Sequence, residues 1–186
     1  MSFSWRIIQM TSLSKKWVVD TNVPVTANMA LKPDEIPNEL LKCVWACVET
    51  IDQVQKNGIL VLDEGDEIFT EYRKNLSMRG QPGVGDRFMK WLHDNRWKFP
   101  ASDRVAITKD GNSYKEFPDH EALINFDNSD RKFVAVSNAH REKPAIIQAT
   151  DSKWWGWKEA LAEVGITVLF LCPKYAEAKH REKIST

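Results

Sequence analysis

Short apolar runs alternate with longer amphipathic stretches along this chain, and each predicts a different element. Runs of β-compatible residues predict buried strands at 17–19, 59–62, 145–149 and 166–171. Apolar residues that recur every three or four positions predict helices at 37–56, 67–76, 86–98, about 129–140 and 158–164. Strands and helices in this alternation indicate right-handed βαβ units around a parallel sheet covered on both faces, an α/β fold.

The stretch between the second and third strands is less regular. Glycine and proline mark residues 77–85 as a loop, and an Asp-Gly pair within 104–117 predicts a small hairpin at the edge of the sheet. Residues 77–125 therefore look like an elaboration of the α/β pattern, and 174–186 like a C-terminal tail.

Length and charge change this picture little. The chain has 186 residues, 42% of them hydrophobic, and 26 basic residues balance 26 acidic ones. These values predict one globular domain over residues 1–186 and exclude a disordered chain or a whole-surface polyanion binder. A local basic face stays compatible with the balanced total.

Cysteine usage and hydropathy bear on the compartment. Cys43 and Cys47 share one face of the helix predicted at 37–56, so we expect them to pack in the core rather than form disulfides or bind metal. The longest apolar run, ITVLFLC, is far shorter than a membrane span. We therefore expect a cytoplasmic protein that does not enter a membrane.

Candidate chemistry lies in the carboxylates. Asp20 and Asp151 each follow a predicted parallel strand, so both should lie at the carboxyl edge of the sheet, where open α/β folds place their sites. Glu71 and Asp130 belong to predicted helices that border this edge. A strand-end aspartate taken singly is usually a turn former or a helix N-cap, so the pair at one edge, rather than either residue alone, indicates a site.

Four converging carboxylates repel one another unless a cation neutralises them. Oxygen-only ligands suit Mg²⁺ or Mn²⁺, which leave coordination positions open for phosphate oxygens. The pattern therefore predicts metal-assisted phosphodiester hydrolysis at Asp20, Glu71, Asp130 and Asp151.

Five segments together resemble a known family. They are WVVDTN at 17–22, EIFTEYRKNL at 67–76, SDRKFVAVSNA at 129–139, IIQATDSKWW at 146–155 and GITVLFLCP at 165–173. In order and spacing they are similar to the motifs of the PIN domain, a metal-dependent nuclease fold. The resemblance spans 17–173, although 77–125 matches none of its motifs.

The resemblance implies a three-layer α/β/α sandwich with an acidic Mg²⁺ or Mn²⁺ pocket that hydrolyses RNA, less often DNA. The four acids named above would be the catalytic and metal-binding residues, with Asn22 and Thr150 as polar residues that orient the site. Many relatives carry a further acid where this chain has Lys153, which puts a second metal ion in doubt. Small proteins of this family are often toxins held by an antitoxin, or defence components, and a partner protein or a homodimer stays open.

The third motif offers two acids, Asp127 and Asp130. We choose Asp130, because Ser129 as the helix N-cap would place it in the first turn, where free N–H groups favour an ionised ligand. Asp127 would then lie in the preceding loop, as an outer support of the site or a turn former.

A basic run follows the acidic stretch at 63–71 and suits a phosphate backbone. The candidate nucleic-acid contacts are Arg73, Lys74, Arg87, Lys90, Arg96 and Lys153. Together these features predict an endoribonuclease that acts on single-stranded or looped RNA. Two alternatives stay open: a structure-specific DNA nuclease, and a non-catalytic module that binds RNA or a protein.

Overall fold

A computed structural model describes residues 16–79 and 82–185 of the chain, which form a mixed α/β fold. Its strands are β1 (Trp17–Val19), β2 (Leu62–Asp63), β3 (Arg104–Val105), β4 (Lys109–Asp110), β5 (Ser113–Tyr114), β6 (Ala145–Gln148) and β7 (Val168–Phe170). Its α-helices are α1 (Asn22–Asn28), α2 (Leu41–Asn57), α3 (Glu67–Asn75), α4 (Val84–Asn95), α5 (Arg131–Ala139), α6 (Lys153–Glu163) and α7 (Pro173–Ile184). The predicted α/β class with mainly parallel pairing is confirmed at this level.

Parallel pairing sets the edge on which the strands end. β6 lies between β1 and β7 and is parallel to both, with Val18 opposite Ile146. On the other side of β1, Trp17 exchanges backbone hydrogen bonds with the residues flanking Leu60, just before β2 pairs in parallel with β3. All these strands therefore end on the same side, where the residues after β1 and β6 meet.

Three elements differ from the sequence-based expectation. Helix α1 was not predicted, because it has seven residues and several of its faces are buried, which hides the one-sided helical pattern. Helix α6 begins at Lys153 rather than 158, since packing overrides the low helix propensity of its Trp- and Gly-rich start. The predicted tail is helix α7, whose single buried residue, Ala176, leaves no apolar stripe to detect.

The predicted hairpin at 104–117 is partly correct. Only β4 and β5 form it, around Gly111 with φ of +57°, whereas β3 pairs in parallel with β2. This pairing joins two segments about forty residues apart in sequence, and a local turn signal cannot reveal it.

The central stretch packs into the core and supports α1. Phe88, Met89 and Leu92 of α4 belong to the main hydrophobic cluster. A side chain at Gly85 would place its Cβ 2.7 Å from the carbonyl carbon of Pro24, so glycine permits the close approach of α4 to α1. Asn28 and Asp86 join the two helices through hydrogen bonds of 2.9 and 3.0 Å.

The cysteine prediction is wrong for Cys43. This residue forms a disulfide with Cys172 at the start of α7, with 5.3 Å between their Cα atoms, whereas Cys47 is a buried free thiol. The two bonded residues are 129 positions apart, a pairing that no local pattern shows. Burial raises the pKa of Cys47 to about 12, so this thiol stays protonated and unreactive.

Crossing a bilayer takes a long apolar helix, and residues 16–79 and 82–185 contain none that qualifies.

We expect reduction of the disulfide to lower the free energy of unfolding by about 5 kcal/mol, the loop-closure value for a link across 129 residues. Urea titrations of oxidised and reduced protein measure this difference. A Cys47→Ala variant is the control, because it leaves the link intact and should respond to the reductant as strongly as the wild type. Equal stability in both redox states would contradict the prediction.

Candidate metal centre

The end of β1 positions the first acid. The backbone N–H of Asp20 donates to the carbonyl of Ile147 at 3.0 Å, which extends the pairing with β6 by one residue. The Asp20 side chain is buried, with 4% of the residue exposed. One carboxylate oxygen, Oδ1, accepts hydrogen bonds from the backbone and side-chain nitrogens of Asn22. Among the described residues nothing donates a hydrogen bond to Oδ2, which leaves this oxygen available to a ligand.

Asn22 connects the two strand ends. Its Oδ1 accepts the backbone N–H groups of Ala149 at 2.9 Å and Thr150 at 3.2 Å, just after β6, while its nitrogens hold Asp20. One amide group therefore fixes the first acid relative to the segment that carries Asp151. Thr150, expected to be a polar residue that orients the site, makes this contact through its backbone N–H.

Glu71 reaches the same edge from α3 and meets a lysine. Its Oε1 accepts the Thr21 hydroxyl at 3.3 Å, and its Oε2 forms an ion pair with Lys132. The Lys132 side chain is 10% exposed and also donates to the carbonyl of Ser129. Neither Thr21 nor Lys132 was predicted to belong to the site, although Thr21 follows Asp20 and Lys132 lies two residues after Asp130.

The turn before α5 differs from the prediction. Asp130, rather than Ser129, is the N-cap residue of α5, and its side chain makes no capping bond. The backbone N–H and hydroxyl of Ser129 donate to Asp127 at 3.0 and 2.8 Å. Asp127 therefore shapes the turn, as one of its two expected roles required, and also pairs with Lys153 at 2.7 Å. Asp130 accepts a hydrogen bond from the Ser129 hydroxyl at 3.3 Å.

Burial and like charges act on these acids together. Desolvation raises the pKa of Asp20 well above its ordinary value, and the charges of Asp130, Asp151 and Glu71 add to this effect. The pKa of Asp130 rises to about 6, chiefly through desolvation and then through Asp127 and Asp151. The structure thus brings the four predicted acids close enough to repel one another.

The donor set suits a hard divalent ion, because it consists of carboxylate oxygens with a negative total charge. The oxygens do not converge into a closed cage. Within residues 16–79 and 82–185, the sole group of three or more His, Cys, Asp or Glu ligand atoms within 4.8 Å of one another is Cys43, Cys47 and Cys172. Two of those sulfurs form the disulfide, and sulfur does not suit Mg²⁺ or Mn²⁺. An ion at the acids would therefore be bound by few carboxylates and by water, as Mg²⁺ commonly is.

The predicted nucleic-acid contacts fall into three groups. Arg73, Lys74, Arg87 and Lys90 are exposed on α3 and α4. Arg96 is different, since its side chain is 12% exposed, pairs with Asp66 and stacks on the rings of Phe69 and Trp97. Lys153 is exposed at the start of α6 and contacts two acids: its backbone N–H donates to Asp151 at 2.9 Å, and its side chain pairs with Asp127.

Comparison with known proteins adds no identification: no family model, no curated protein and no solved structure matches the chain. The resemblance to the PIN domain therefore stays a prediction.

Replacing Asp130 and replacing Asp127 by asparagine should have opposite effects on the free energy of unfolding. The raised pKa of Asp130 means that its ionised form destabilises the fold as pH rises from about 4 through 6. Its replacement by asparagine should therefore raise the free energy of unfolding at about pH 7.5 by roughly 1–3 kcal/mol, and by little at about pH 4. Lys153 lowers the pKa of Asp127 to about 2, so Asp127→Asn should lower stability above pH 4. Urea titrations in chelator test both signs, and destabilisation by Asp130→Asn at the higher pH would contradict this electrostatic interpretation.

Lys132→Met should destabilise the metal-free protein by roughly 1–3 kcal/mol, because it leaves a partly buried Glu71 carboxylate without its cation. Adding Glu71→Gln should recover most of this loss, since no charge is then left unpaired. Lys153→Met is the matched control: its ion pair with Asp127 is more exposed and should contribute less than about 1 kcal/mol. Urea titration measures all four proteins, and equal losses in the two lysine variants would contradict the prediction.

Proposed function

We propose that this protein is a PIN-like, metal-dependent nuclease with a three-layer α/β/α fold. The observation that carries the proposal is the buried Asp20 carboxylate, whose pKa is raised by burial and by three further acids at the carboxyl edge of a parallel sheet. A group of like charges held at this position destabilises the protein, so a bound cation offers a reason for it.

Asp20, together with Asp130 or Asp151 and with water, would hold Mg²⁺ or Mn²⁺, because no three of the acids in the described residues bring oxygens within 4.8 Å of one another. Glu71 would lie at the border of the site. In such sites a divalent ion neutralises charge on phosphoryl oxygens and activates water. The chain itself supplies orientation. Asn22 fixes Asp20, and Lys132 and Thr21 hold the two oxygens of Glu71. Because the attacking group would be water activated by the ion, hydrolysis would need no covalent intermediate.

RNA is the proposed substrate, in single-stranded or looped form, and an endonucleolytic cut is expected. The exposed basic side chains on α3 and α4 follow Glu71 in the chain. They would contact phosphates on either side of the cut. A toxin or defence role, with a cognate antitoxin, another partner protein or a homodimer, belongs to the same proposal.

A cytoplasmic location is also proposed from the sequence. The Cys43–Cys172 disulfide argues against this location, because disulfides are more typical of oxidising compartments.

Lys132 favours one alternative. An ammonium group already inside the acidic cluster could replace a metal ion, as expected in a non-catalytic PIN-like module that binds RNA or a protein. The two functions differ in turnover and in metal binding.

We expect RNA cleavage to require Mg²⁺ or Mn²⁺, and we expect Asp20→Asn to reduce its rate at least ~100-fold through loss of a central carboxylate. Gel assays with single-stranded RNA and with DNA of the same sequence measure the rate and separate the two nuclease classes. Asp52→Asn is the control, since this exposed acid pairs with Lys56 on α2, outside the cluster.

Calorimetry with Mn²⁺ gives a second readout that does not depend on turnover. Wild type and Asp52→Asn should bind the ion alike, and Asp20→Asn should bind it more weakly. Full cleavage activity in chelator would overturn the nuclease mechanism. Failure to bind Mn²⁺ together with absence of cleavage would favour the non-catalytic module.

A further inference from the structure

A cleft of about 490 Å³ opens beside the candidate metal centre. Its walls come from the loop before α5 and from helices α6 and α7. Two of its lining residues, Asp127 and Lys153, are also neighbours of the acids: Asp127 precedes Asp130, and the Lys153 amide binds Asp151. The cleft and the metal centre are therefore adjacent and share a wall.

One side of the cleft is aromatic. Trp157 lines it from α6, where its ring packs against Phe126 with 5.9 Å between the centroids, and His180 lines it from α7. Gly156 allows the two helices to come this close, because a Cβ there would lie 2.6 Å from Cε1 of His180. A glycine inside a helix destabilises it by roughly 0.5–1 kcal/mol relative to alanine. The His180 ring can occupy its position beside α6 only because residue 156 is a glycine.

The other side is polar and basic. Lys183 lies three residues after His180 on α7, and its Nζ donates to the hydroxyl of Ser152 at 2.8 Å, just before α6. Lys153 contributes a second ammonium group, which forms an ion pair with the Asp127 carboxylate that also lines the cleft, and Asn125 contributes an amide. Cations, an amide and aromatic faces in one cleft are the groups that recognise a phosphate, a base edge and a base face.

We propose that this cleft binds the unpaired nucleotide next to the scissile phosphate of a single-stranded nucleic acid. The base lies against Trp157 and His180, and its phosphate contacts Lys183 and Lys153. The inference rests on the proposed nuclease function and adds the place on the surface where an unpaired nucleotide binds, since a base inside a duplex cannot stack on protein rings. It also gives Lys153 a role at the position where the resemblance leads one to expect an acid.

The test uses a fluorescein-labelled single-stranded RNA of about twelve nucleotides and the Asp20→Asn protein, in which cleavage is suppressed. Anisotropy measures binding. We expect His180→Ala to weaken binding roughly tenfold, within the range for loss of one stacking contact. Lys183→Ala should reduce the log–log salt slope by about 0.7, the value for one phosphate contact on a single strand.

Lys179→Ala is the matched control. This lysine is on the same helix but pairs with Glu182, so its loss should leave both affinity and salt slope unchanged. Gly156→Ala is a second probe that keeps every polar group and displaces the His180 ring, and it should weaken binding as His180→Ala does. Thermal melting of each variant separates an altered cleft from an unfolded one.

The outcomes separate this inference from the proposed function. Equal affinities for the His180, Lys183 and Lys179 variants would overturn the cleft assignment, even where wild-type protein cleaves RNA with Mg²⁺. Loss of binding in the cleft variants without any cleavage by the wild type would support the cleft and overturn the nuclease. If free uridine monophosphate displaced the labelled RNA at a concentration equal to that of the RNA, the cleft would bind single nucleotides. This result would overturn the proposal that it binds a nucleotide within a strand.

Discussion

The Asn22 side chain is the contact on which the geometry of the candidate centre depends. Its oxygen binds the two backbone N–H groups that follow β6, and its nitrogen binds Asp20 after β1. These two strand ends lie side by side only because β1 and β6 are parallel and in register. A shift of one residue would turn alternate side chains to the other face of the sheet and would break both sets of contacts. The convergence of the acids therefore depends on the register in which β1 pairs with β6.

This constraint holds like charges together, and the protein offsets them at two positions. Lys132 neutralises Glu71 at the side formed by α3 and α5, and Lys153 neutralises Asp127 at the side of α6. Neither lysine forms an ion pair with Asp20 or Asp130, whose pKa values stay raised. The negative charges of Asp20 and Asp130 in the middle of the centre are thus not neutralised by either lysine, whereas those of Glu71 and Asp127 at its borders are. In the nuclease that we propose, this distribution of charge favours one divalent ion over two.

The sequence predicts the parts of this arrangement that follow from local rules. Asp20 and Asp151 could be assigned to one sheet edge, because parallel strands place their carboxyl ends together. Lys132 could not be assigned to the centre, since a lysine on a short helix is usually exposed and only the packing of α5 against α3 buries it. The Cys43–Cys172 disulfide was missed for the same reason: partners 129 residues apart share no pattern. The burial of Lys132 and the disulfide both depend on contacts between segments that are distant in the sequence.

Lys153 shows how one residue can link two parts of a surface. Its amide binds Asp151, its ammonium group binds Asp127, and its side chain lines the cleft that also contains His180 and Lys183. An acid here would add to the repulsion at the centre and remove a cation from the cleft. A lysine instead leaves fewer ligands for a metal and more positive charge for a strand. In the nuclease that we propose, phosphate oxygens of the substrate would complete the coordination of the ion at the position where PIN domains often carry an acid and this chain carries Lys153.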